Sequence, residues 1–97
     1  LEVSDFPIAD EYTVQRIEHK LGGEEIYVIP TTTMEPKRIS ASQLEILKLC
    51  DGNRSVQEIS SIIRERIRDN RAMQEVLEDC SRFLADTVRL EIVRLSR

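Results

Sequence analysis

Residues Ile39 to Ile59 read ISASQLEILKLCDGNRSVQEI, and this stretch decides the fold. It leaves an extended segment at Ile39. Ser40 or Ser42 then suits the N-cap of a helix, because a short hydroxyl side chain accepts from the free amides of a first turn. Leu44, Ile46, Leu47 and Leu49 crowd one side of that helix. Asp51-Gly52 ends it, since glycine takes the left-handed conformation that closes helices at little cost. Ser55, with Glu58 three residues on, has the pattern of a capping box and opens a second helix. Along it Val56, Ile59, Ile63 and Ile67 recur at spacings of three and four, while Glu58, Arg64, Glu65 and Arg68 face outward. The unit holds no catalytic constellation, so it points to a small recognition module.

Downstream, Asp69-Asn70-Arg71 breaks the helical period. A third helix follows on Met73, Val76, Leu77, Cys80, Phe83, Leu84, Thr87 and Val88, the longest periodicity in the chain. The tail LEIVRLSR either extends this helix or runs extended along the core. Upstream, Met34 to Ile39 reads as a short strand that lies at an edge or begins just after Pro36, which has no backbone donor. Glu24 to Pro30, EEIYVIP, is the clearest strand, with Ile26 and Val28 on one face and Tyr27 and Ile29 on the other. Tyr12 to Lys20 is a weaker strand that Leu21-Gly22-Gly23 turns back. Residues 1–11 read as an N-terminal arm in a loop, with Phe6, Pro7 and Ile8 tucked against the body, and residues 12–97 as the domain. The expected fold is α+β, winged helix-turn-helix-like: a three-stranded antiparallel sheet followed by a three-helix bundle.

The chain has 97 residues, enough for one core. Its 40% hydrophobic and 33% charged residues are those of a folded domain and not of a disordered one. No run long enough to span a membrane and no charged-then-apolar leader is visible. A first residue of Leu fits either a stand-alone protein that has been trimmed or a domain cut from a longer chain. Cys50 and Cys80 lie on apolar helix faces without a second Cys or His at metal-ligand spacing, so they read as buried thiols of a reducing cytoplasm, with a disulfide or redox pair as the alternative. His19 stands alone in a polar segment and reads as solvated.

A small sheet beside three helices suggests nucleic-acid binding, but the net charge is −4, and DNA binders need a basic face to displace counterions. Arg64, Arg66, Arg68 and Arg71 cluster, yet Glu65, Asp69 and Glu75 interleave with them, which favours a salt-bridged surface. Catalysis needs a His, Cys or carboxylate set within hydrogen-bond reach, and no such motif stands in the sequence. A binding module remains, with an edge strand as its handle. An exposed strand offers unpaired N–H and C=O groups to an extended peptide, while neighbouring pockets read its side chains.

The run Ser42 to Gly52, SQLEILKLCDG, followed by Arg54-Ser55-Val56 and Glu58-Ile59, resembles the coenzyme PQQ synthesis protein D (PqqD) family. There a helix ending in Leu-Cys-Asp-Gly is followed by Ser or Thr, then Val-x-Glu-Ile. EIYVIP, KRIS and Phe83-Leu84 match that family's second and third strands and third helix in kind, and the resemblance covers about Val14 to Val93. It implies a recognition element for ribosomally made, modified peptides: a winged, non-enzymatic domain without cofactors of its own. Such a domain holds the precursor's leader peptide as an added strand and presents it to a modifying enzyme. In the PQQ pathway that partner is a radical SAM protein with iron–sulfur clusters.

Carried onto this chain, the resemblance puts Lys37, Arg38 and Ile39 on the strand side of a cleft. Glu75, Asp79, Arg82, Phe83 and Asp86 of the third helix supply the other wall. Lys37 and Arg38 either pair with acidic leader residues or are plain solvent-facing charges. Pro36 departs from the expected pattern and shifts pairing to the residues after it. Two other readings stand beside this one: a winged-helix DNA-binding transcriptional regulator, and a dimerisation or docking domain fused to an enzyme.

Overall fold

In the computed structural model, which describes residues 1–96, the elements run β1 (Pro7–Ala9), β2 (Tyr12–Glu18), β3 (Glu24–Pro30), β4 (Lys37–Ile39), α1 (Ala41–Lys48), α2 (Val56–Arg66), α3 (Met73–Arg89) and β5 (Val93–Leu95). The class is α+β: three helices follow a three-stranded antiparallel meander of order β2-β3-β4. Gly22 and Gly23, at φ 98° and 87°, make the reversal between β2 and β3. Ile26, Val28 and Pro30 of β3 are buried, and Ile39 pairs with Ile26 as Lys37 does with Val28. The buried faces of β3 and β4 join Leu44, Leu47, Val56, Ile59, Ile63, Val76, Phe83 and Leu84 in one core.

The starts of α1 and α2 are built by reciprocal side-chain caps. Ser40 accepts from the Gln43 amide while Gln43 returns a bond to the Ser40 amide. Ser55 and Glu58 make the same reciprocal pair at α2. Two of the four donors that a helix start leaves unpaired are thus satisfied locally.

Two readings left open by the residues are decided, and one expectation needs correction. The third strand does not begin at Met34. Met34 lies in the left-handed region at φ 58°, its amide closes a turn on the Pro30 carbonyl at 2.8 Å, and β4 starts at Lys37, after Pro36. The N-terminal arm is not wholly loop, for Pro7–Ala9 pairs antiparallel with Val93–Leu95 in a second, two-stranded sheet. The same pairing makes the tail an extended segment and not a helical extension; of that tail, Arg97 lies outside the described residues.

The arm also completes α2. The carbonyls of Asp5 and Val3 accept from the amides of Val56 and Gln57 at 3.0 and 3.1 Å, the two first-turn donors that the capping box leaves free. Gly52, at φ 82°, stands beyond the α1 C-cap at Leu49. Its amide donates to the Pro7 carbonyl at 3.0 Å, so the Cys-Asp-Gly turn fastens the helical body to the arm. Cys50 and Cys80 are buried free thiols, and His19 meets Glu25 at 2.7 Å on the exposed hairpin.

Candidate functional site: a groove between a sheet edge and a helix

Within the meander, hydrogen-bond polarity follows from two backbone bonds. The His19 amide donates to the Gly23 carbonyl and the Thr31 amide to the Glu11 carbonyl, both at 3.1 Å. With the register Tyr27↔Gln15 and Glu25↔Ile17, the odd-numbered residues of β3 bond to β2. The even-numbered ones, Ile26 and Val28, bond to Ile39 and Lys37. Arg38 therefore turns its N–H and C=O away from the sheet, along an edge that carries no further strand among the described residues.

The edge is short. Pro36 has no N–H, and the Ser40 amide is spent on Gln43 Oε1 at 2.9 Å. Between residues 36 and 40, the Arg38 amide is the one outward donor without a partner among the described residues.

This edge borders a groove of about 480 Å³. One wall is Lys37, Arg38, Ser40, Ser42 and Gln43; the other is Asp79, Arg82, Phe83 and Asp86 of α3; Ile46, Ile63, Val76 and Cys80 form an apolar floor. Ile67, 45% exposed, adds a reachable apolar surface, although its place in the helical period suggested burial. Asp69 and Arg71 close the end at the α2–α3 turn.

Charges in the groove are organised in pairs. Arg71 bonds Asp69 at 2.8 Å and also reaches Asp79, which accepts from Arg82 at 3.1 Å. Lys37 Nζ meets Asp86 Oδ2 at 3.2 Å, and Asp86 also pairs with Arg89. The carboxyl of Asp86 is held below its ordinary range first by the Lys37 hydrogen bond, and that of Asp79 first by the bond from Arg71. Burial raises the Cys80 thiol above its ordinary range, which disfavours the reactive thiolate in the groove floor.

Of the residues expected at the site, Lys37, Arg38, Asp79, Arg82, Phe83 and Asp86 line this groove. Ile39 does not: its side chain is 5% exposed and belongs to the core, so it serves the groove only by anchoring β4. Glu75 is exposed on α3, outside the lining. Sequence reading missed Gln43, Ile67, Asp69 and Arg71. The capping-box spacing of Gln43 and the break in period at Asp69 were the available signals, and neither marks a groove until the chain folds.

No family model matches the chain, and no curated protein matches it.

Proposed function

We propose that the chain is a non-catalytic recognition module of winged helix-turn-helix shape, related to the PqqD-like recognition elements. It takes the leader segment of a ribosomally made precursor peptide as a strand on β4 and presents it to a modifying enzyme, for example a radical SAM protein. The observation that carries this reading is the outward N–H and C=O of Arg38 beside an apolar-floored groove. An extended peptide needs a backbone partner on one side and side-chain pockets on the other, and this edge lies next to both.

A winged-helix DNA-binding regulator is the competing reading. Its phosphate contacts would fall to the arginines around the α2–α3 turn, and most of these are engaged within the chain. Arg64 donates to the Arg71 carbonyl at 2.9 Å, Arg66 faces Glu45 at 3.7 Å, and Arg71 holds Asp69 and Asp79. Affinity for duplex DNA that falls steeply with salt would favour this reading, because displaced counterions set that slope.

The deciding experiment selects short extended peptides from a display library and titrates them into the isotope-labelled protein by NMR. Shifts at Lys37 to Ile39 and along the groove face of α3 are expected. Shifts confined to α2 would remove β4 as the docking strand.

A further inference from the structure

Lys37 and Asp86 stand 49 residues apart in sequence, one on each wall of the groove, and Nζ lies 3.2 Å from Oδ2. Among the described residues this is the one ion pair that joins β4 to α3. We infer that it is a latch across the groove, and that the groove selects extended peptides bearing a carboxylate, which takes Lys37 over from Asp86. The inference rests on the peptide-recognition reading above and adds to it a ligand class and a gate.

The two partners of the latch are not equivalent. Asp86 has a second cation in Arg89, one turn along the same helix and with its side chain 75% exposed. It stays compensated when Lys37 leaves. Lys37 has no other carboxylate among the described residues, and its side chain is only 26% exposed. A peptide that opens the groove without replacing Asp86 therefore strands a partly desolvated ammonium, which is the costly outcome for a charge pair. A peptide carboxylate exchanges one pair for another and leaves the number of pairs unchanged.

A basic peptide residue meets the opposite situation. It competes for an aspartate that Arg89 already covers and places a second positive charge beside Lys37. The other carboxylates of the groove are occupied too, Asp69 by Arg71 and Asp79 by Arg71 and Arg82. Arg38 is the nearest additional cation, 65% exposed and held only loosely by Glu25 at 3.6 Å. Four cations, Lys37, Arg38, Arg71 and Arg82, face three carboxylates, Asp69, Asp79 and Asp86, along this groove. In a chain of net charge −4, the groove is a local positive site. Both the local field and the asymmetry of the latch thus point to an acidic ligand.

The test uses a peptide selected against the wild-type protein, its counterpart with the acidic residue replaced by the matching amide, and calorimetry at low salt. For the wild type, removing the peptide's charge should weaken binding about 1.5- to fivefold, the range of a single partly exposed ion pair. Asp86→Asn removes the internal competitor and should tighten the acidic peptide by a similar factor. Lys37→Gln should abolish the difference between the two peptides. Lys37→Met, which keeps the apolar stem, provides a second variant if Lys37→Gln proves poorly folded. An Asp86→Asn protein that binds the acidic peptide no better than wild type, or a Lys37 variant that still discriminates, overturns the latch and leaves peptide recognition intact. A wild-type protein that selects no peptide overturns the recognition reading and the latch with it.

Discussion

Ser55 shows how much one side chain contributes when its geometry is complete. It accepts from the Glu58 amide at 3.1 Å, and Glu58 reaches back to the Ser55 amide at 2.9 Å. Ser55→Ala removes the accepting half of that box. The expected loss is about 1 kcal/mol, a fall in midpoint of about 4–8 °C for a domain of this size, readable by thermal circular dichroism. Gly52 works through the backbone. A methyl built on it would meet Ile8 Cδ1 at 3.5 Å, an ordinary contact, so the objection to alanine is the φ of 82° alone. Gly52→Ala should cost about 1–2 kcal/mol in denaturant unfolding.

Cys50 carries a pH signature. Burial pushes its thiol from 9.0 up to about 12, so the folded state keeps a proton that the unfolded chain gives up earlier. That contribution is fully present below pH 9 and is lost as pH rises toward about 12, with a slope of at most about 1.4 kcal/mol per pH unit. Tyr12 and Tyr27, also raised, act in the same direction. Urea midpoints of the wild type and Cys50→Ala, compared at rising alkaline pH, isolate the cysteine's share. The wild type should lose stability faster.

Among the elements, β4 is the most exposed to test, because each of its residues has a separate task. Lys37 and Ile39 bond to β3, and Arg38 faces outward. Arg38→Pro deletes the outward N–H without touching the β3 ladder, since proline is tolerated where the amide faces solvent. Relative to Arg38→Ala, which matches the loss of the guanidinium, peptide affinity should fall by about 2- to 12-fold, one net hydrogen bond's worth, while the melting midpoint changes little. Ile39→Pro, which removes a ladder donor from a buried position, should instead destabilise the fold. Equal binding by Arg38→Pro and Arg38→Ala in a peptide titration would show that this edge does not dock the ligand. For α2, the start belongs jointly to its own capping box and to the arm, whose Val3 and Asp5 carbonyls take the two remaining first-turn amides.

The chain closes through its ends, and this is where the molecule as a unit depends on distant residues. Pro7 pairs with Leu95 and Ala9 with Val93, the Asp10 amide donates to the Ile92 carbonyl at 2.9 Å, and Arg94 meets Asp10 at 2.8 Å. Deleting residues 1–9 opens this sheet, frees Gly52 and leaves two first-turn amides of α2 without partners, at an expected cost on the order of 3–6 kcal/mol from the hydrogen bonds alone. That is a large share of a small domain's stability. Native-state hydrogen exchange should show lost protection in α2 as well as in β5, although α2 itself is untouched by the deletion.

The helices, the cap of α2 and the central strand were legible in the residues because each rests on contacts within a few positions: Ser55 with Glu58, and the three-to-four spacing from Val56 to Ile63. A hydrogen bond that closes over four residues needs no knowledge of the rest of the chain. The arm's pairing with the tail, the exposure of Ile67, the withdrawal of Ile39 into the core and the meeting of Lys37 with Asp86 were not legible. Each requires segments tens of residues apart to be brought together by burial of the shared core, and local pattern carries no record of which partner a strand edge or a charged side chain will find. The groove's acidic and basic residues could thus be named one by one from the chain, but their pairing across it exists only once β4 and α3 are packed on the same apolar floor.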